Sequence, residues 1–448
     1  MKIRVKKALA FALSVVTVAT LFAGCGTSSA PASSTSGAAS DAASGTASNA
    51  QPAEQVTLTY YYDAAFADST KKVVADFEAA NPNIKIKLVD LPAESDKKLQ
   101  TVSTVLQAQD SSMDVFEMDT TWPLTFVSAG WTEPVDDIFS ADELKTFFNG
   151  PIEANTYEGK LYSVPLYMDA GILLYRKDLL DKYGYQPPKT WDELAQISKD
   201  IMSKEPEITN GYSSGWKQYE ALTCAAMEFI WGYGGNVLDD SGKVIIDTPE
   251  TIKGLQRMQD LILVDKITDP GITGYKWSAS RVPFYSGNTL FIRDWPTAVA
   301  GANDPETSKV AGKVAISPIP GGKDASTNYN TMGGWSVGIS AFSKNKDAAK
   351  IFLKYLSNVE SQKTRALLMG LMPTSPSVYD DAEVLAKFPH FTTLKEVAKM
   401  SKARPKTAYY AELSAVLQQG FAAVLANSAT PEKAVQDMKP QLEEIMAR

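Results

Sequence analysis

Strand-like and helix-like segments alternate directly after residue 55, and that alternation limits the kind of sheet this chain can build. Val56 to Tyr62 is a β-branched and aromatic run with strand character. Val73, Val74 and Phe77 lie at helical spacing, and Asn81-Pro82 ends that helix. Ile84 to Val89 alternates apolar residues with Lys85 and Lys87, which predicts a second strand. Leu99, Val102, Val105 and Leu106 mark another helix, and Asp114 to Met118 reads as a third strand. Strands separated by helices of this length imply βαβ units and a mainly parallel sheet.

The pattern continues with strands predicted at Leu161 to Tyr167, Gly171 to Tyr175, Thr289 to Ile292, Val314 to Ile316 and Trp335 to Ile339. Thr190 to Glu193 reads as a capping box. Thr248-Pro249 and Thr430-Pro431 read as helix starts with Pro in the first turn. After Ser343 the chain reads as almost all helix, and no internal repeat is visible.

The N-terminus fixes location. Lys2, Arg4, Lys6 and Lys7 precede an uncharged apolar run from Ala8 to Phe22. A basic start, a short apolar segment and small residues at the cut form a secretory signal. Ala23-Gly24-Cys25 resembles the lipobox of bacterial lipoproteins, which implies a signal peptide over 1–24 and a lipidated Cys25 as mature N-terminus. The run is short for a membrane span, which needs about 20 apolar residues. Residues 25–55 are rich in Ser, Ala, Thr and Gly, too polar to offset their conformational entropy, and are expected to form a disordered tether. Its root-mean-square reach would be about 30 Å.

The 448-residue chain is too long for one ordinary core and predicts two lobes. Removing the signal leaves a formal charge of about −12, which argues against nucleic acid as a partner, since phosphate binding wants clustered cations. With Cys25 acylated, Cys224 stands alone, so no intramolecular disulfide is expected. His390 is the single histidine, which argues against metal sites and a His-based nucleophilic mechanism. No phosphate loop or dinucleotide fingerprint is present, so no cofactor is expected.

In open α/β sheets, ligands bind beyond the carboxyl ends of strands. Asp63, Asp119, Asp169 and Asp294 fall at such ends. Around them the chain resembles a family. Gly159 to Pro165, Tyr167-Met-Asp169, Leu174 to Leu180 and Pro188 to Leu194 are similar to segments of the solute-binding lipoproteins of carbohydrate ABC importers, extracellular solute-binding protein family 1. Gly287 to Pro296, Pro318 to Gly322 and Gly333 to Ile339 extend the likeness. Trp216 to Leu222 and Arg404 to Tyr410 bring it nearest to trehalose/maltose-binding proteins.

The resemblance implies an α/β, two-lobed periplasmic-binding-protein-like fold of type II, with a hinge between lobes that are each a mainly parallel sheet flanked by helices. It implies an N-lobe of 56–168 plus 299–340 and a C-lobe of 169–298 plus 341–448. It implies no enzymatic activity but a receptor, expected as a monomer anchored through Cys25 to the outer face of the membrane. Such a receptor captures a di- or oligosaccharide and delivers it to membrane permease subunits. Carried over by position, the ligand contacts are Asp119, Tyr167, Asp169, Tyr219, Glu220, Trp295, Gly333, Gly334, Trp335 and Arg404. Where relatives can place Arg after the second strand, this chain has Lys97 and Lys98.

These residue types suit a pyranose. Carboxylates accept from paired hydroxyls, in charge-assisted bonds about twice as strong as neutral ones. Indoles cover the C–H face at low entropic cost. Gly333-Gly334 would let backbone N–H groups approach the ligand. Acidic residues beside aromatics also build glycoside hydrolases, which need two carboxyl groups about 5–10 Å apart. An exported hydrolase and a non-transport carbohydrate-binding lipoprotein are therefore the alternative readings.

Overall fold

The computed structural model describes residues 55–448 except Ala93. The expected signal peptide, Cys25 and all but the last residue of the tether lie outside the described residues. In chain order the strands are β1 (Val56–Asp63), β2 (Ile84–Leu91), β3 (Val115–Asp119), β4 (Thr156–Tyr157), β5 (Lys160–Leu161), β6 (Val164–Ala170), β7 (Ile172–Arg176), β8 (Asn210–Ser213), β9 (Thr289–Asp294), β10 (Val314–Ser317), β11 (Asn330–Ile339) and β12 (Ser401–Lys402).

Two main sheets organise the two lobes. The first has the order β12-β11-β3-β1-β2, with β6 also on β11; the second runs β10-β7-β9-β8. The predicted βαβ start is present: β1 pairs parallel with β2 over its whole length and with β3 at Tyr60 and Tyr61. The mainly parallel expectation holds there but not in the second sheet. In that sheet β7 pairs antiparallel with both β9 and β10, and only β8–β9 is parallel.

The first core centres on Tyr60, Phe77 and Phe352, with ring centroids 5.4 Å apart for Tyr60–Phe352 and 4.8 Å for Phe77–Phe352. The second centres on Trp191 stacked on Phe229, centroids 3.9 Å apart and planes 12° apart. The helix Glu220–Gly232 is buried along its whole length, as an all-round apolar helix must be. Thr248 and Thr430 cap the helices Pro249–Leu263 and Pro431–Met446, as their sequence signatures predict.

Sheet and core membership divides two of the ranges expected for the lobes. Within 299–340, β10 pairs with β7 in the second sheet while β11 pairs with β3 in the first. Within 341–448, Phe352, Leu353 and Leu356 pack in the first core, whereas Leu413, Leu417, Phe421 and Val424 pack in the second. Long-range pairing decides which sheet a strand joins, and no local pattern encodes it. The chain passes between sheets at Gly171 and between β10 and β11, and after β12 it runs into helices that pack in the second core.

Candidate functional site

Six of the ten expected ligand residues, Asp119, Tyr167, Asp169, Gly333, Gly334 and Trp335, lie on β3, β6 and β11, which are neighbours in the first sheet. Trp335 pairs with Asp119 on one edge of β11 and with Tyr167 on the other, and Gly333 pairs with Asp169. Asp119 ends β3, and its Oδ1 accepts from Thr121 N at 3.1 Å and Thr121 Oγ1 at 2.9 Å. This is the local turn that an Asp favours after a strand.

Arg404 binds two of the other expected contacts. Its Nη2 donates to Asp119 Oδ1 at 2.9 Å and its Nη1 to Glu220 Oε1 at 2.5 Å. Glu220 opens the helix Glu220–Gly232 and also accepts from Tyr410 OH at 2.5 Å and Ser414 Oγ at 2.6 Å. All three residues are buried. One guanidinium therefore ties a carboxylate at the end of a first-sheet strand to a carboxylate of the second core. Glu94 and Lys276 form a second ion pair between the lobes. Asp96, beside this cluster, has its carboxyl held up at about 6 by desolvation and then by Glu220, Asp119 and Glu94.

The two indoles keep part of their surface open. Trp335 meets Trp122 edge to face at 5.3 Å and 80°. Trp295 follows β9 and meets Trp277 at 5.8 Å and 71°. Both are half-buried, and Trp335 also packs against the buried apolar residues of the first lobe.

The glycine pair makes room for its neighbours. A Cβ on Gly333 would stand 3.0 Å from Cζ3 of Trp295, and one on Gly334, whose φ is +127°, would stand 2.6 Å from the Tyr167 carbonyl oxygen. The missing side chains thus admit an indole and the neighbouring strand.

Asp169 faces Gly333 and is half-buried by surface area, yet packed closely enough that desolvation lifts its carboxyl to about 8. The Ala170 N–H and Arg293 oppose that shift. Tyr167 is buried edge-on to Phe66 at 5.5 Å, and Tyr219 OH accepts from Trp277 N at 3.1 Å. A cavity of about 280 Å³ is lined by Thr120, Thr121, Met332, Arg404 and Lys406 among others, but by neither open indole. Asp119 and Asp169 also lie outside its lining, whereas Arg404 and Glu153 belong to it.

Sequence reading left several site residues unassigned. Lys98 is buried, ion-paired with Asp63, and stands 4.2 Å from the Trp335 ring centre. Glu228 and Arg293 form a buried pair behind Trp295. The signal for that pair was visible as one carboxylate in the apolar stretch Leu222–Trp231 and one guanidinium after the apolar run Leu290–Ile292.

Comparison with known proteins agrees with this architecture. A family model for bacterial extracellular solute-binding proteins matches residues 63–363. A probable ABC transporter-binding protein of Deinococcus radiodurans is 36% identical over 413 residues, spanning 89% of this chain and 96% of that one. The structure of maltose-bound MalE3 from T. maritima is 35% identical with a TM-score of 0.81, over 87% of this chain and 99% of that one. The GacH receptor of Streptomyces glaucescens, solved unliganded and with acarbose, is 24% identical with a TM-score of 0.77, over 88% of this chain and 99% of that one. At that identity the second likeness concerns the fold alone.

Proposed function

This chain belongs to the bacterial extracellular solute-binding protein family, and we propose that it is an exported receptor that captures a di- or oligosaccharide between its lobes and hands it to an ABC permease. The observation that carries the sugar reading is the pairing of two half-buried indoles, Trp295 and Trp335, with the carboxyls of Asp169 and Asp119 around one strand, β11. Flat apolar faces beside hydrogen-bond acceptors suit a ring with C–H faces and hydroxyl edges. The maltose in the MalE3 structure supports the same class.

Within this reading the ligand contacts are Asp119, Asp169, Trp295, Trp335 and Arg404, with Tyr167, Tyr219, Glu220, Gly333 and Gly334 supporting them. Asp119 and Glu220 share one guanidinium, which fixes both carboxyl groups in place. The lobes open and close about Gly171 and the other crossing segments, and a ligand touching both lobes favours the closed form by its differential affinity. Cys25, lipidated and left as the mature N-terminus, holds the receptor at the membrane.

Calorimetric titration with maltose, trehalose, sucrose, cellobiose and longer oligomers tests the proposal, with the sugar recovered and analysed afterwards. Binding at micromolar affinity, about −8 kcal/mol, with intact sugar and a smaller radius of gyration in solution scattering is the expected result. Cleaved sugar would mean a hydrolase, and no binding at millimolar sugar would end the sugar reading. For the anchor, Cys25→Ala should move the protein from the membrane fraction to the soluble one.

A further inference from the structure

Glu228 and Arg293 are at most 1% exposed, and their partners explain why two charges lie so deep. Arg293 donates from Nε to Glu228 Oε2 at 2.8 Å and from Nη2 to Oε1 at 2.6 Å, a bidentate fork that fixes the guanidinium plane. The guanidinium carbon stands 4.3 Å from the ring centre of Trp295 and 4.9 Å from that of Trp277. Nη1 has no hydrogen-bond partner among the described residues, and the guanidinium lies over the indoles.

The pair also reaches the crossing strands. Glu228 Oε1 accepts from Thr331 N at 3.0 Å, two residues before Gly333, and Thr331 Oγ1 donates to the Cys224 carbonyl at 2.7 Å. Gly171, at the passage from β6 to β7, leaves the space that the pair fills: a Cβ there would stand 2.0 Å from Glu228 Oε1. Trp295 therefore has Arg293 near its ring and Gly333 pressed close to its six-membered edge, both tied to Glu228, one by its fork and one through β11.

We propose that Arg293, held in plane by Glu228, is the positioning residue of the Trp295 platform and sets the indole's angle in the cleft. This rests on the reading of Trp295 as a sugar-stacking surface. A buried ion pair with no such role would add only to folding.

Two measurements separate these roles. In the ligand-free protein, the near-UV circular dichroism of Trp295 is isolated by subtracting the spectrum of Trp295→Phe. That contribution should fall by at least half in Arg293→Lys, which keeps the charge but loses the planar fork. In titrations with maltose and trehalose, Arg293→Lys should weaken binding at least tenfold, but less than twofold when Trp295 is already Ala. If Arg293→Lys does not fold, the neutral pair Glu228→Gln with Arg293→Met replaces it. An unchanged Trp295 spectrum, or equal affinity losses with and without the indole, would overturn the proposal. If the parent protein binds neither sugar, the platform reading falls, while the spectrum still decides whether Arg293 orients the indole.

Discussion

Lys98 holds its ammonium nitrogen 4.2 Å from the centre of the Trp335 indole while ion-paired with Asp63. The cation takes up part of the ring's surface and Trp122 takes an edge, so what remains open is what a ligand could use. Asp63 in turn caps the turn after β1, accepting from Ala65 N at 3.0 Å.

The ion pair gives a stability prediction. Breaking a buried pair by removing one partner strands a charge and costs roughly 3–5 kcal/mol, whereas neutralising both costs far less. Lys98→Met should therefore lower the unfolding free energy in urea by about that amount. Adding Asp63→Asn should recover most of the loss, and no recovery would mean that packing, not charge, holds Lys98.

The indoles give an affinity prediction. Anchoring aromatics lose about 2 kcal/mol or more of binding when truncated. Trp295→Ala and Trp335→Ala should each weaken sugar binding at least tenfold, with a much smaller effect on the melting temperature of the free protein. Large destabilisation with unchanged affinity would make both residues packing elements.

Asp169 predicts proton release. Its carboxyl stands at about 8, raised by desolvation, so it is mostly protonated at pH 7. Sugar hydroxyls that donate to the carboxylate lower that value, so binding expels a proton and affinity rises with pH up to about 8. Calorimetry at pH 7 in buffers of different ionisation enthalpy should detect the release, and Asp169→Asn should abolish it. Buffer-independent binding enthalpy in the parent would place the sugar away from Asp169.

Glu117 predicts a pH-dependent stability of the first lobe. Desolvation and then Asp63 raise its carboxyl from 4.5 to about 7, against hydrogen bonds from Tyr60 OH and Asp63 N. The folded state thus binds the proton more tightly than the unfolded one. The associated stability is complete below about 4.5 and is lost as pH rises through about 7. Melting temperatures of the parent should fall relative to Glu117→Gln between pH 4.5 and 7 and run parallel above it. Parallel curves throughout would mean that Glu117 is ionised in the fold.

The sequence by itself determined many of the elements. β-branched runs, helical spacing and the Thr-Pro caps locate β1, β2 and β3 and several helices, because those signals act between near neighbours. Residue types also pointed to acidic strand ends and to the indoles as the groups that suit sugar. Only the tertiary structure decided the rest. Whether β10 joins β7, whether Arg404 spans Asp119 and Glu220, and whether Gly333 makes room for Trp295 all depend on residues far apart in the chain. A lone charge in an apolar segment, such as Glu228 or Arg293, announces that a partner exists, because an unpaired buried charge is too costly to keep. It does not say which partner. That choice is made by hydrogen bonds and packing that exist only once both sheets have formed.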